Sequence, residues 1–211
     1  LNGVLFVIQT KEIRVVATDG HRLALAIRGL GQIAQPATGI VPRKAVAEIQ
    51  RALGAGEEVQ LAITENQFVL QMPNFVMTAR LIEGQFPNYD AVIPKGHPGK
   101  LTLSRSALVA ALRRVAVMAE ERNKPVKLSL APASLKLSAS SSELGEAEEA
   151  MAVDYAGEEM AIAFNSRYIL DALSPVEEDS VVFEFKDALS PGVIKSADDD
   201  GYRCVIMPMR I

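Results

Sequence analysis

Leu101-Thr102-Leu103-Ser104-Arg105-Ser106-Ala107-Leu108 opens as an alternating apolar strand and turns into a helix start at Ser104. Two other segments read the same way: Ile40-Val41-Pro42-Arg43-Lys44-Ala45-Val46 and Ile162-Ala163-Phe164-Asn165-Ser166-Arg167-Tyr168-Ile169. Ser and Asn are favoured N-caps because their side chains accept orphan backbone N–H groups, and Pro is tolerated where a helix begins. Pro42, Ser104 and Asn165 are spaced by about 62 and about 61 residues, a long repeat.

Three strand candidates follow each helix. The first set is Val59 to Thr64, Gln67 to Met72 and Phe75 to Ile82, with turns at Glu65-Asn66 and Pro73-Asn74. The second is Val126 to Ala131, Ser134 to Ser138 and Ala147 to Tyr155; the third is Ser180 to Lys186, Gly192 to Ala197 and Tyr202 to Met209. The fold class is therefore α+β, a β-α-β-β-β module present three times. Ahead of it, period-2 alternation over Leu5 to Thr10, Glu12 to Thr18 and Arg22 to Ile27 reads as a bare β-β-β, the tail of a fourth module. Two modules pair into a domain of roughly 110–120 residues. The boundary is expected in the Pro/Gly-rich Ile93 to Gly99, giving domains 1–97 and 98–211.

Composition bounds the rest. The chain has 211 residues, 49% of them hydrophobic and 5% aromatic with no Trp, so the core must be aliphatic. One Cys and two His make neither an internal disulfide nor a usual structural zinc site, and a reducing cytoplasm is the natural compartment. No apolar run approaches the ~20 residues of a membrane span. The net charge of −4 argues mildly against a dedicated DNA binder, but a sum does not locate charges.

Their distribution says more. At 100° per residue, Val46, Ile49 and Leu53 face inward on the first helix, Leu108, Ala111, Leu112 and Val115 on the second, and Ile169, Leu170 and Leu173 on the third. The outward faces carry Arg43, Lys44 and Arg51, then Arg105, Arg113 and Arg114, then Arg167 with Tyr168 and Asp171. Acidic residues concentrate elsewhere, in Glu143 to Glu149, Glu177 to Asp179 and Asp198 to Asp200. Cations beside small side chains would let a phosphate backbone approach, and no base-reading pattern accompanies them, so such contact would be sequence-independent. Ordinary solvated helix faces are the plainer account of the same pattern.

Catalytic signals are weak. Asp19 and His21 are the residue types of an oriented general base, but no activated nucleophile accompanies them, and an Asp-Gly turn with a half-exposed His explains them better. Asp198-Asp199-Asp200-Gly201 lacks the spaced ligands and closing Glu of a calcium loop. Cys204, inside a strand, reads as a small core hydrophobe. The chain ends in the apolar Cys204 to Ile211, which suits a docked strand or a last core strand.

Ala17-Thr18-Asp19-Gly20-His21-Arg22-Leu23-Ala24, Val41-Pro42-Arg43-Lys44, Gly84-Gln85-Phe86-Pro87-Asn88-Tyr89 and Met207-Pro208-Met209-Arg210-Ile211 together resemble the beta subunit of bacterial DNA polymerase III, the sliding clamp, from Leu1 to Ile211. The resemblance implies a DNA clamp fold with three domains of two modules each, of which this chain represents the last two. The first of these lacks its opening strand and helix. It further implies a non-catalytic processivity factor without cofactor or metal: two protomers encircle duplex DNA, with helices lining the hole. The homodimer ring is expected of the full-length protein only, since its contact uses the missing first domain.

Implied partners are the polymerase III alpha subunit, the clamp loader and other proteins carrying a clamp-binding motif. The family's peptide groove lies between its second and third domains. By motif it would comprise Thr18, Gly20, His21, Arg22 and Leu23, then Pro87 and Val92, then Leu189 and Pro191, then Val205, Ile206, Met207, Pro208, Met209 and Arg210, with Leu1 flanking it. Asp90-Ala91 stands where many relatives carry a basic pair, which removes an expected cationic contact to the peptide.

Overall fold

A computed structural model describes residues 2–32, 34–54, 58–119 and 124–210. They form two compact units dividing between Asp90 and Ala91, ahead of the Pro/Gly-rich stretch.

Unit 2 displays the repeat in full. Its order is β8 (Gly99–Ser104), α2 (Arg105–Val115), β9 (Pro125–Ala131), β10 (Ser134–Ser141), β11 (Gly145–Ala152), β12 (Met160–Asn165), α3 (Ser166–Leu173), β13 (Ser180–Phe185), β14 (Gly192–Ser196) and β15 (Tyr202–Ile206). The modules exchange strands. β8 joins the second module's meander in the order β15-β14-β13-β8, and β12 joins the first module's in the order β11-β10-β9-β12, all antiparallel.

Period-2 alternation drives this arrangement. Val126, Leu128 and Leu130 on β9, and Leu135 and Leu137 on β10, point into one core, while the alternating Lys127 and Lys136 are exposed. The same core takes Leu108, Ala111, Leu112 and Val115 from α2, and Ile169, Ala172 and Leu173 from α3. Each fully buried Leu or Phe contributes roughly 1.5–3 kcal/mol of transfer free energy.

Unit 1 contains β1 (Gly3–Ile8), β2 (Glu12–Thr18), β3 (Arg22–Gly29), β4 (Ala37–Pro42), α1 (Arg43–Ala52), β5 (Gln60–Ile63), β6 (Gln67–Met72) and β7 (Phe75–Arg80). Its strands run β4-β1-β2-β3 and, in a second sheet, β5-β6-β7. β4 is the counterpart of β12, and β5 that of β13; among the described residues no strand pairs with the outer edge of β5 as β8 does with β13. Phe68, Leu70 and Met72 of β6 pack with Phe6, Val41, Ala45 and Ile49, and the Phe6 and Phe68 rings lie 5.1 Å apart.

Pro42, Ser104 and Asn165 are the N-caps of α1, α2 and α3. Ser104 Oγ accepts from the Ala107 N–H at 3.2 Å, and Asn165 Oδ1 from the Arg167 N–H at 2.9 Å. Two side chains sit differently from their periodicity. Leu53 is 39% exposed instead of inward, because α1 ends at Ala52 and Leu53 has an extended backbone. Tyr168 does not point fully outward but packs partly against the unit 2 core. Among the described residues no helix is long and apolar enough to cross a membrane.

Candidate partner and DNA surfaces

In unit 1 the β2–β3 connection is a tight turn over Thr18 to Arg22. Asp19 Oδ1 accepts the backbone N–H groups of His21 and Arg22, each at 3.0 Å, and Asp19 Oδ2 accepts Arg22 Nε at 3.1 Å. Thr18 Oγ1 donates to the Arg22 carbonyl at 2.8 Å, and Gly20 takes φ +89°, a conformation that favours glycine. Partial burial pushes the Asp19 carboxyl up, but hydrogen bonds from the His21 N–H and from Arg22 outweigh it and hold the group below its ordinary value.

Asp19 thus organises backbone and guanidinium, and its bond to His21 is to the main chain, not the ring. The geometry is that of an Asx turn presenting an exposed His21, with no carboxylate–imidazole pair.

Pro87 is exposed on the segment following β7. Ile82 anchors that segment by donating its N–H to the Ile40 carbonyl at 2.8 Å. Arg14 on β2 pairs with Glu12 at 2.8 Å, and that carboxylate first, then the Tyr89 hydroxyl, raises its guanidinium pKa above the ordinary value. A cavity of about 560 Å³ opens behind the loop, lined by Leu5, Ile40, Leu81, Phe86, Pro87 and Tyr89 among others.

In unit 2 the register brings four strand ends together. Phe185 pairs with Gly99 and Gly192 with Ile206, so the start of β8, the end of β13, the start of β14 and the end of β15 share one end of the sheet. The loop carrying Leu189 and Pro191 and the tail from Met207 leave from this end, and the segment carrying Val92 leads into the start of β8. Val92, Leu189 and Met207 are 44%, 68% and 43% exposed. Asp187 builds the loop by accepting the Leu189 N–H at 2.9 Å and the Ser190 N–H at 2.7 Å, which leaves Leu189 projecting.

After β15 the tail crosses to the other sheet, where Met209 donates its N–H to the Ala163 carbonyl on β12 at 2.7 Å. Pro208 and Met209 are half-buried, and Arg210 is exposed. Leu23, Val205 and Ile206 are buried, so they back their surfaces instead of forming them. Leu1 and Ile211 lie outside the described residues.

The seven helix cations do not share one environment. Arg43 and Lys44 at the start of α1, Arg113 on α2 and Arg167 on α3 are exposed. Arg51 is exposed but pairs with Glu48 at 2.6 Å. Arg105 turns back over α3, donating Nε to the Leu173 carbonyl at 2.8 Å. Arg114 forms a two-pronged ion pair with Glu149 of β11, its Nε at 2.9 Å from Oε2 and its Nη2 on Oε1.

The separation of acidic from basic faces is correspondingly incomplete. Glu149 reaches α2, and Asp179 caps it, accepting the Ser106 N–H and the Ser104 hydroxyl, each at 2.8 Å. The Ser106 N–H first, then the Ser106 and Ser104 hydroxyls, hold the Asp179 carboxyl below its ordinary value. An anion at a helix N-terminus also meets the positive end of the helix dipole. Among the described residues no group of three or more His, Cys, Asp or Glu is placed to hold a metal ion.

These features define a class: repeated β-α-β-β-β modules with cationic helices and an apolar, strand-end surface outside the core. The profile of the DNA polymerase III beta subunit central domain matches residues 1–88, and that of its C-terminal domain residues 90–210. The chain belongs to the DNA polymerase III beta subunit family, and its fold is the clamp fold.

It is 38% identical over 213 residues to the beta sliding clamp of Proteus mirabilis, and 37% over 212 residues to that of Escherichia coli K12. All of this chain and 58% of each relative are covered, so the chain spans little more than half the length of those proteins. A Pseudomonas aeruginosa DnaN sliding clamp solved with griselimycin bound superposes with a TM-score of 0.95 at 33% identity, covering 100% of this chain and 57% of that one.

Proposed function

We propose that this chain is the greater part of a sliding clamp, a non-catalytic processivity factor that holds a polymerase on duplex DNA. Two surfaces serve partner peptides. In unit 1 it is the turn of Thr18, Gly20, His21 and Arg22, backed by Leu23, together with Pro87. In unit 2 it is Val92, Leu189, Pro191, Met207, Pro208, Met209 and Arg210, backed by Val205 and Ile206. The outward faces of α1, α2 and α3 face DNA without reading its sequence, and the candidate cations on these helices are Arg43, Lys44, Arg51, Arg105, Arg113, Arg114 and Arg167. The partners are the polymerase III alpha subunit, the clamp loader and other proteins with clamp-binding motifs. The full-length protein acts as a homodimeric ring in the cytoplasm.

The observation that carries this reading is the exposure of Leu189 and Met207 at one end of the β15-β14-β13-β8 strands, with Val92 exposed on the segment that leads into β8. Apolar side chains beside a tail tied down at Met209 offer the contacts that a short linear peptide with an apolar end requires. Deleting residues 207–211 should abolish binding of a clamp-binding peptide, measured by calorimetry, while far-UV circular dichroism stays unchanged. Undiminished peptide affinity in the folded truncation removes the assignment of this surface.

A further inference from the structure

We infer that the seven helix cations divide into two groups: Arg43, Lys44, Arg113 and Arg167 engage DNA phosphates, while Arg51, Arg105 and Arg114 are engaged by the protein itself. This rests on the clamp reading above and sharpens it.

The division follows from what already occupies each head group. A guanidinium offers its donors in a planar fork that a carboxylate matches as well as a phosphate does. Arg114 presents that fork to Glu149, 35 positions away in sequence, using both Nε and Nη2. Glu149 thereby takes the place a phosphate would have. The pairing acts on both partners, raising the Arg114 pKa and lowering that of Glu149. Releasing Arg114 to DNA would give up this two-pronged pair, so Arg114 gains less from a phosphate than an unpaired cation does.

Arg105 is committed in another way. Its Nε binds the Leu173 carbonyl at 2.8 Å, which also accepts the Val176 N–H at 3.3 Å, and its Nη2 approaches the Ser174 carbonyl at 3.5 Å, so it bonds carbonyls at the C-terminus of α3. Its backbone N–H reaches the Asp179 carbonyl at 2.6 Å, so residue 105 ties α2 to the segment leaving α3. Arg105 is a positioning residue that fixes one cation-bearing helix against the other. Arg51 donates to Glu48 one turn earlier on α1, which cancels its charge locally.

The remaining four differ. Among the described residues no carboxylate lies within ion-pair distance of Arg43, Lys44, Arg113 or Arg167, and each is exposed. Arg113 and Arg114 are thus adjacent in sequence and opposite in role. Four free cations on three helices would give a contact weak enough to slide, since each phosphate neutralised adds about 0.9 to the slope of log K against log salt.

The test is that slope, measured in the intact protein by anisotropy of a labelled linear duplex over a salt series. Arg43→Ala, Lys44→Ala, Arg113→Ala and Arg167→Ala should each reduce it by about one. Arg51→Ala, Arg105→Ala and Arg114→Ala should leave it unchanged, and Arg105→Ala should lower the melting temperature. Arg105→Lys keeps the charge and loses the fork; it should keep the slope while still lowering the melting temperature. A slope reduced equally by Arg113→Ala and by Arg105→Ala or Arg114→Ala overturns the division and leaves the DNA-facing reading intact. Salt-independent or undetectable association of the unaltered protein overturns both.

Discussion

Met209 donates its backbone N–H to the Ala163 carbonyl, pinning the tail that follows β15 onto the edge of β12. Ile82 does the same to Ile40 in unit 1. Aligning Pro42 with Asn165 makes Ile40 and Ala163 equivalent, so the repeat extends to single hydrogen bonds outside the regular strands. Each unit closes by bending the segment after its last strand across to the other sheet.

The Met209–Ala163 bridge holds the tail, so removing its donor tests it. Met209→Pro should cost about 0.5–1.5 kcal/mol, the net worth of one hydrogen bond. It should also weaken peptide binding, because the tail loses its anchor. Thermal melting and peptide titration check the two effects separately; unchanged affinity would show that the bridge does not shape the surface.

The caps predict a graded effect. Asn165→Ala removes the acceptor of the Arg167 N–H and should destabilise unit 2 by about 0.5–2 kcal/mol in denaturant titration. Pro42→Ala should change far less, because Pro42 supplies no side-chain cap to α1. Equal losses in both variants would mean that capping is not what these positions share.

Phe164 is fully buried, and its ring meets Phe183 edge-on with centroids 5.7 Å apart. Phe164→Ala should cost about 3–5 kcal/mol through lost transfer energy and the cavity left behind. Calorimetric unfolding reads this directly, and a loss below 1 kcal/mol would contradict the packing.

Asp179 gives a pH dependence of known sign. Its folded pKa lies below the unfolded value of about 3.9. Its contribution is therefore fully present above that unfolded value and is lost as pH falls through the folded one. In a carboxyl-detected NMR titration Asp179 should titrate below an ordinary aspartate, and Asp179→Asn should flatten that part of the acid limb. A midpoint at or above the ordinary value would remove Asp179 as the anchor of the α2 N-terminus.

Much of this was legible in the sequence because the repeat writes its elements in local code. Period-2 alternation marks the strands, and Pro42, Ser104 and Asn165 mark helix starts at matched spacing. The Asp19 turn was readable for the same reason: Asp-Gly has a backbone preference of its own. What escaped depends on distance in the chain. No local pattern says that Arg114 meets Glu149, or that Arg105 closes α3, because those partners are set by how helices land on sheets. β11 begins at Gly145 and ends at Ala152, not at Ala147 and Tyr155, since its limits follow pairing with β10. Leu53 departs from the helical period because that period does not announce where a helix stops.

The exchange of β8 and β12 between modules separates the unit of repetition from the unit of folding. A single β-α-β-β-β segment leaves its own meander one strand short, so it buries its core only when its neighbour is also present. Folding must therefore wait for pairings such as Phe185 with Gly99, far apart in the chain, and high contact order of this kind slows the rate-limiting step. Unit 2 should consequently unfold all at once, with amides of β9 and β13 exchanging at the global rate. The β5-β6-β7 meander has no partner strand on its β5 edge among the described residues, and its amides should open at lower cost, by local fluctuation.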